Sequence, residues 1–172
     1  MLKRAPFLEN RSGLAAVEFA LIAPVMIIMF YGAVELSSAV DCNARVQRAV
    51  STVADLVSQE TTLSTSDAGN VFLAANAVLI PYASSNAKIV VTSLVSDATG
   101  KVTVDWSEAQ NTGKRTSPPA TIPAGILPAS SSVIYAEITY SFSPAISYFV
   151  GNVNLTNSFY AKPRRSIKVT HT

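Results

Sequence analysis

The chain has 172 residues, enough for one domain with a modest core and one further segment. Apolar residues make up 49% and charged residues 14%, which excludes a disordered chain and tilts toward membrane association. The net charge of +2 hides an uneven layout: residues 1–13 carry +2, residues 162–172 carry +4, and the stretch between carries −4, which is not the clustered basic face of a nucleic-acid binder.

The first element is a basic leader, residues 1–13, with Lys3, Arg4 and Arg11 against Glu9. From Leu14 to Val34 follow 21 residues with a single charge, Glu18. A helix of that length covers about 31 Å, close to the hydrocarbon thickness of a bilayer. Residues 14–34 are therefore expected to span a membrane. Cations before the span keep the leader in the cytoplasm and send the carboxy-terminal part across. Pro24 removes the hydrogen bond to the carbonyl of Ala20 and is expected to bend or loosen the helix. Glu18 is costly: a carboxylate inside a spanning helix costs about 2.5–3.5 kcal/mol on insertion scales. Either it lies shallow and snorkels to the headgroups, or it has a partner.

The stretch Arg11-Ser12-Gly13-Leu14-Ala15-Ala16-Val17-Glu18-Phe19 resembles a prepilin processing site of the type IV and Flp kind. The fuller string from Gly13 to Glu35, GLAAVEFALIAPVMIIMFYGAVE, is similar to the TadE-like family of tight-adherence (Tad/Flp) pilus assembly proteins. The Ala-Val-Glu-Phe-Ala core, Pro24 and the Gly32–Glu35 pair carry the likeness. A looser likeness lies in Phe159-Tyr160 and Pro163-Arg164 near the end. The resemblance implies a minor pilin or pseudopilin in the bacterial inner membrane, with its carboxy-terminal domain in the periplasm or on a pilus. It also implies a prepilin peptidase that cuts between Gly13 and Leu14, and other pilins and pilus-machine subunits as partners in assembly and cell adhesion. Such a cut would create an ammonium on Leu14, four residues from Glu18 and on the same helix face, so the buried anion gains a cation in its own or a neighbouring chain. Two rivals exist for the segment. Ser37-Ser38-Ala39 offers a small-x-small signal-peptide cut, although an apolar run of 21 residues exceeds the usual h-region. The other rival is an uncleaved anchor.

The helical pattern continues beyond the span. Leu36, Val40, Asn43, Val46, Val50, Val53 and Val57 recur every three to four residues, which predicts a helix extension over 35–60. The alternative is an anchor followed by a separate amphipathic helix. Cys42, the one cysteine, reads either as a small apolar helix residue or as half of an intermolecular disulfide. An extracytoplasmic domain is expected over 61–161. In it, Ser66 caps a short helix from Asp67 to Leu79 with Ala68, Val71, Phe72, Ala75 and Leu79 on one face, ended by Pro81. Lys88–Ser96 and Lys101–Trp106 form a hairpin around Asp97-Ala98-Thr99-Gly100, with Val102, Val104 and Trp106 alternating against Thr103 and Asp105. Residues 107–131 hold four prolines and two glycines and read as a long loop, either a mobile surface connection or a carrier of partner contacts. Ser132–Phe142 and Leu155–Ala161 are the late strands. The tail 162–172 is basic; it reads as a solvated, frayed terminus, or one that meets anionic headgroups or an acidic partner.

His171 is the one histidine, expected exposed and unstructured. No Cys/His set has metal-ligand spacing and no phosphate-binding glycine loop is present, so no catalytic, cofactor or metal residue is assigned. The reading is an α+β chain, with a long amino-terminal transmembrane and amphipathic helix packed on a small antiparallel sheet in a pilin-like plan. Its expected role is structural, with no enzymatic activity, no cofactor, no small-molecule substrate and no nucleic-acid partner. The alternatives are a membrane-anchored periplasmic binding domain or enzyme, and an uncleaved scaffold of the pilus machine.

Overall fold

A computed structural model describes residues 12–144 and 151–172. The leader residues Lys3, Arg4 and Arg11 lie outside the described residues. The architecture is α+β. Helix α1 spans Ser12–Ser58, β1 Thr62–Leu63, α2 Thr65–Leu79, and a 3-10 turn Ser84–Asn86. Strands β2 (Ala87–Ser96), β3 (Val102–Gln110), β4 (Ser132–Phe142) and β5 (Val153–Ala161) form an antiparallel sheet in the order β3-β2-β4-β5. A short β6 (Thr170–His171) pairs parallel with β1. By contacts the chain divides into two compact units, Met1–Ser38 and Ala39–Thr172, and α1 contributes to both.

The core of the second unit rests on α1. Cys42, Val46, Ala49, Val50, Val53, Ala54 and Val57 recur at three- and four-residue spacing and are buried, so one helical stripe faces inward. It meets Ile89, Val91, Trp106, Ile134, Ala136 and Ile138 from the sheet. The buried stripe starts at Cys42, later than the periodicity suggests: Leu36, Val40 and Asn43 are exposed. Asn43 instead accepts a hydrogen bond through Oδ1 from Asn157 Nδ2, 2.8 Å away. Cys42 is fully buried, and burial pushes its thiol up to about 11. It packs as a small apolar residue, out of reach of a neighbouring chain.

Helix α2 buries Ala68, Val71, Phe72, Ala75 and Leu79 on its inner face. Its cap is Ser64, not Ser66, because Asp67 sits at the third helical position and completes a reciprocal box. Asp67 N donates to Ser64 Oγ at 3.1 Å, and Ser64 N donates to Asp67 Oδ2 at 3.2 Å. Hydrogen bonds from the Ser64 side chain and backbone hold the Asp67 carboxyl below its ordinary range.

Strand β3 departs from simple alternation. Ser93 pairs with Trp106 and Leu94 with Val104, so Asp105 is the extra residue of a β-bulge. The bulge sends Trp106 to the helix side of the sheet, while Val102 and Val104 pack on the opposite side. The expected single face of Val102, Val104 and Trp106 is thereby split in two.

The opposite side is covered by residues 111–131. Ile122, Ile126 and Leu127 pack on Leu94, Val133 and Tyr135 and form a second, smaller core. Arg115 anchors the segment: its backbone N donates to Ser107 Oγ at 3.0 Å, and its guanidinium pairs with Glu137 and lies 5.3 Å from the Tyr135 ring centroid. Burial, with the hydrogen bond to Glu137, pushes the Tyr135 hydroxyl up to about 12. This segment is a packed layer rather than a mobile connection.

The tail is also ordered. It crosses from the end of β5 over the sheet to β1. Arg164 N donates to Ser58 O at 2.8 Å, Ser132 Oγ to Ile167 O at 2.6 Å, and Trp106 Nε1 to Val169 O at 2.7 Å. Val169 is fully buried. Lys168 pairs with Asp105 at 3.2 Å. His171 is held in β6: its ring lies 5.6 Å from that of Trp106, and Nε2 is 2.9 Å from Glu108 Oε1, outside hydrogen-bond alignment. The expectations of a frayed tail and an unstructured His171 are corrected. Val169 fills the core and the backbone of 164–172 pairs with Ser58, Thr61 and Leu63, contacts that charge and position in sequence do not reveal.

Two outcomes follow from this packing. Leu79→Ala opens a cavity in the core and is expected to cost about 2–5 kcal/mol, whereas Leu73→Ala, at a position 67% exposed, stays within about 0.5 kcal/mol. Urea unfolding of the two variants, followed by circular dichroism, measures the difference. Deleting residues 166–172 removes the acceptor of Trp106 Nε1 and uncovers the indole. The emission of Trp106, the one tryptophan, is expected to shift to the red and the unfolding midpoint to fall.

Candidate functional site

The residues singled out from the sequence all lie on α1 within the first unit. Gly13 and Leu14 follow Ser12, the first described residue of the helix. A Cβ built on Gly13 meets nothing within 4 Å, so nothing among the described residues requires glycine at that position.

Leu14 and Glu18 stand four residues apart, on one face and about 6 Å apart along the axis. Glu18 is exposed and surrounded by exposed apolar side chains, among them Leu14, Val17, Phe19, Leu21 and Ile22. Its carboxylate is the only charge between Gly13 and Val34. The apolar residues continue around the helix, with Val25, Met26, Ile27, Ile28, Met29 and Phe30 all more than half exposed. A surface of this kind is stable in lipid or against other apolar helices, and not in water. Among the described residues, α1 is the one helix long and apolar enough to cross a membrane. It continues through Pro24, which has no N–H to give to Ala20. Phe30 and Tyr31 meet edge to face, 6.0 Å between centroids, near the end of the apolar run.

The second unit contributes different features. Asp41, Arg45 and Tyr82 form a polar cluster: Arg45 Nε donates to Asp41 Oδ2 at 2.9 Å and Tyr82 Oη donates to the same oxygen at 3.1 Å. These two hydrogen bonds hold the Asp41 carboxyl below its ordinary range. Arg45 also donates to the carbonyl of Ile80, and so joins α1 to the end of α2. A groove of about 700 Å³ opens between Ser51–Leu56 of α1 and Phe159–Arg164. Glu108, buried on β3, holds Lys114 at 2.7 Å and stands beside His171. Sequence reasoning missed this Glu108–Lys114–His171 group and the groove. Both are assembled by residues far apart in the chain, and neither leaves a local spacing signal.

No curated protein and no solved structure matches the chain. A family model described as TadE-like protein matches residues 13–55, about a quarter of the chain, and it lies on α1, reaching into the buried valine stripe. Over residues 13–55 the chain is therefore similar to TadE-like proteins, the family that the string from Gly13 to Glu35 resembles.

Proposed function

We propose that this chain is a minor pilin or pseudopilin of a Tad/Flp pilus or a related secretion system. It inserts in the bacterial inner membrane through residues 14–34, with the leader inside and the α+β domain outside. A prepilin peptidase cuts it after Gly13, and it acts in pilus assembly without catalysis of its own. The observation that carries the reading is one carboxylate, Glu18, on an otherwise apolar exposed helix, four residues after Leu14 and inside the TadE-like match.

The physical logic follows from charge. Left alone in lipid, Glu18 costs about 2.5–3.5 kcal/mol. A cut at Gly13 turns the Leu14 nitrogen from an amide into an ammonium, cationic at neutral pH. That cation lies within reach of Glu18 in the same helix or in a neighbour packed alongside. The pair offsets desolvation, and because it joins two fixed points it sets an axial register between subunits. The leader cations, left on the cytoplasmic side, orient insertion and are then removed.

Mass spectrometry of the mature amino terminus tests the cut. A start at Leu14 is expected; an intact Met1 would instead mean an uncleaved scaffold, and a start at Val40 a secretory signal. The pairing argument has its own test. Glu18→Val is expected to leave processing largely intact and to reduce pilus assembly severalfold, scored by surface pilin in cells lacking the wild-type protein. Normal piliation in that strain would refute the pairing.

A further inference from the structure

The four-stranded sheet ends at β5. One side of β5 pairs with β4 from Phe142↔Val153 to Ile134↔Ala161, and among the described residues no strand pairs with its other side. An edge strand presents a row of N–H and C=O groups that can accept another strand, and proteins usually block such edges with charge, proline or a bulge. The opposite edge, β3, has its bulge at Asp105 and carries Glu108. Strand β5, Val-Asn-Leu-Thr-Asn-Ser-Phe-Tyr-Ala, has no charge, no proline and no bulge over its nine residues.

The groove noted above lies at the carboxy-terminal end of this edge, against Phe159–Ala161, inside the second unit. Leu56 of α1 forms one wall. Phe159, on the helix side of the sheet opposite Ala136, forms the other and stays 44% exposed. The end of the groove is basic. Arg164 is taken by Asp55, but Lys162 in the groove and Arg165 just beyond it have no carboxylate partner among the described residues. The site therefore offers directional backbone groups, an apolar wall and unpaired cations at one end. An anionic lipid surface would use the cations but not the backbone groups.

We propose that β5 and this groove bind an extended, acidic segment of another protein, which adds a fifth strand to the sheet and sets a carboxylate against Lys162. The main chain supplies affinity and the groove supplies selectivity, the usual division in strand addition. This inference rests on the second unit alone, and it stands whether or not the chain is cut at Gly13.

The test uses the full chain in phosphatidylcholine nanodiscs. The probe is a fluorescein-labelled peptide of nine residues, the length of β5, alternating valine and threonine and closing on two glutamates. A saturable rise in anisotropy is expected. It should vanish when every second peptide amide is N-methylated, and weaken about tenfold in Lys162→Glu, whose exposed position leaves the fold intact. Phe159→Ser should weaken it through the apolar wall, with Trp106 emission unchanged. Absence of saturable binding overturns the proposal. So does binding that survives N-methylation, since that marks a generic cationic patch. A nanodisc-embedded dimer that the peptide cannot dissociate also overturns it, because the edge would then serve a second copy of the chain.

Discussion

Everything in the sheet domain depends on the buried stripe of α1 from Cys42 to Val57. A four-stranded antiparallel sheet with one largely apolar face has no stability of its own in water; another element must cover that face. Here the cover comes from a helix whose earlier residues are apolar on every side. The two stretches carry different instructions. Around residues 14–34 the apolar side chains circle the axis, which suits lipid or other helices. From Cys42 onward they keep to one stripe, with Asp41, Arg45 and Arg48 on other faces. The TadE-like match covers both stretches and stops at residue 55, within the stripe. The segment it describes is therefore an apolar helix together with the helix surface on which a domain is built.

The sheet serves a second core as well, and one extra residue makes this possible. Strict alternation would place Trp106 beside Val102 and Val104 on one face. The bulge at Asp105 moves Trp106 to the helix side, where its indole N–H meets the carbonyl of Val169. The two valines stay on the far side, under Ile122, Ile126 and Leu127. Asp105, turned out of the ladder, pairs with Lys168 in the tail. One bulge thus supplies a core aromatic, a cover for the outer face and an anchor for the carboxy terminus.

The elements with a strong local period were legible in the sequence. The valines of α1, the inner face of α2 and the limits of β4 all follow from spacing, because one buried face leaves a regular mark on the chain. The elements that failed to show are those fixed by distant partners. Ser64 and Ser66 are equally good caps by type; the choice falls to Ser64 through the position of Asp67. Residues 111–131 look like linker by composition, yet Arg115 finds Glu137 on β4 and three apolar side chains find an uncovered sheet face. The tail looks like a solvated basic end, yet Val169, directly after Lys168, is a core residue. The groove beside β5 was invisible for the same reason: its walls come from residues about a hundred positions apart.

Glu18 and Gly13 belong to a third category. Both were read from the sequence, and the described residues give neither of them a contact that needs it. Gly13 has open space where a side chain would sit, and alanine favours a helix more than glycine does. Glu18 stands exposed among apolar neighbours that suit lipid, where a carboxylate is a liability. Residues that cost stability and make no contact among the described residues fit the proposed role, in which something acts on the chain or packs against it. On that proposal, a peptidase that requires a small residue at the cut accounts for the glycine, and a neighbouring helix that brings a new ammonium accounts for the carboxylate. The two accounts are linked, because the proposed cut at Gly13 would create the cation that pairs with Glu18.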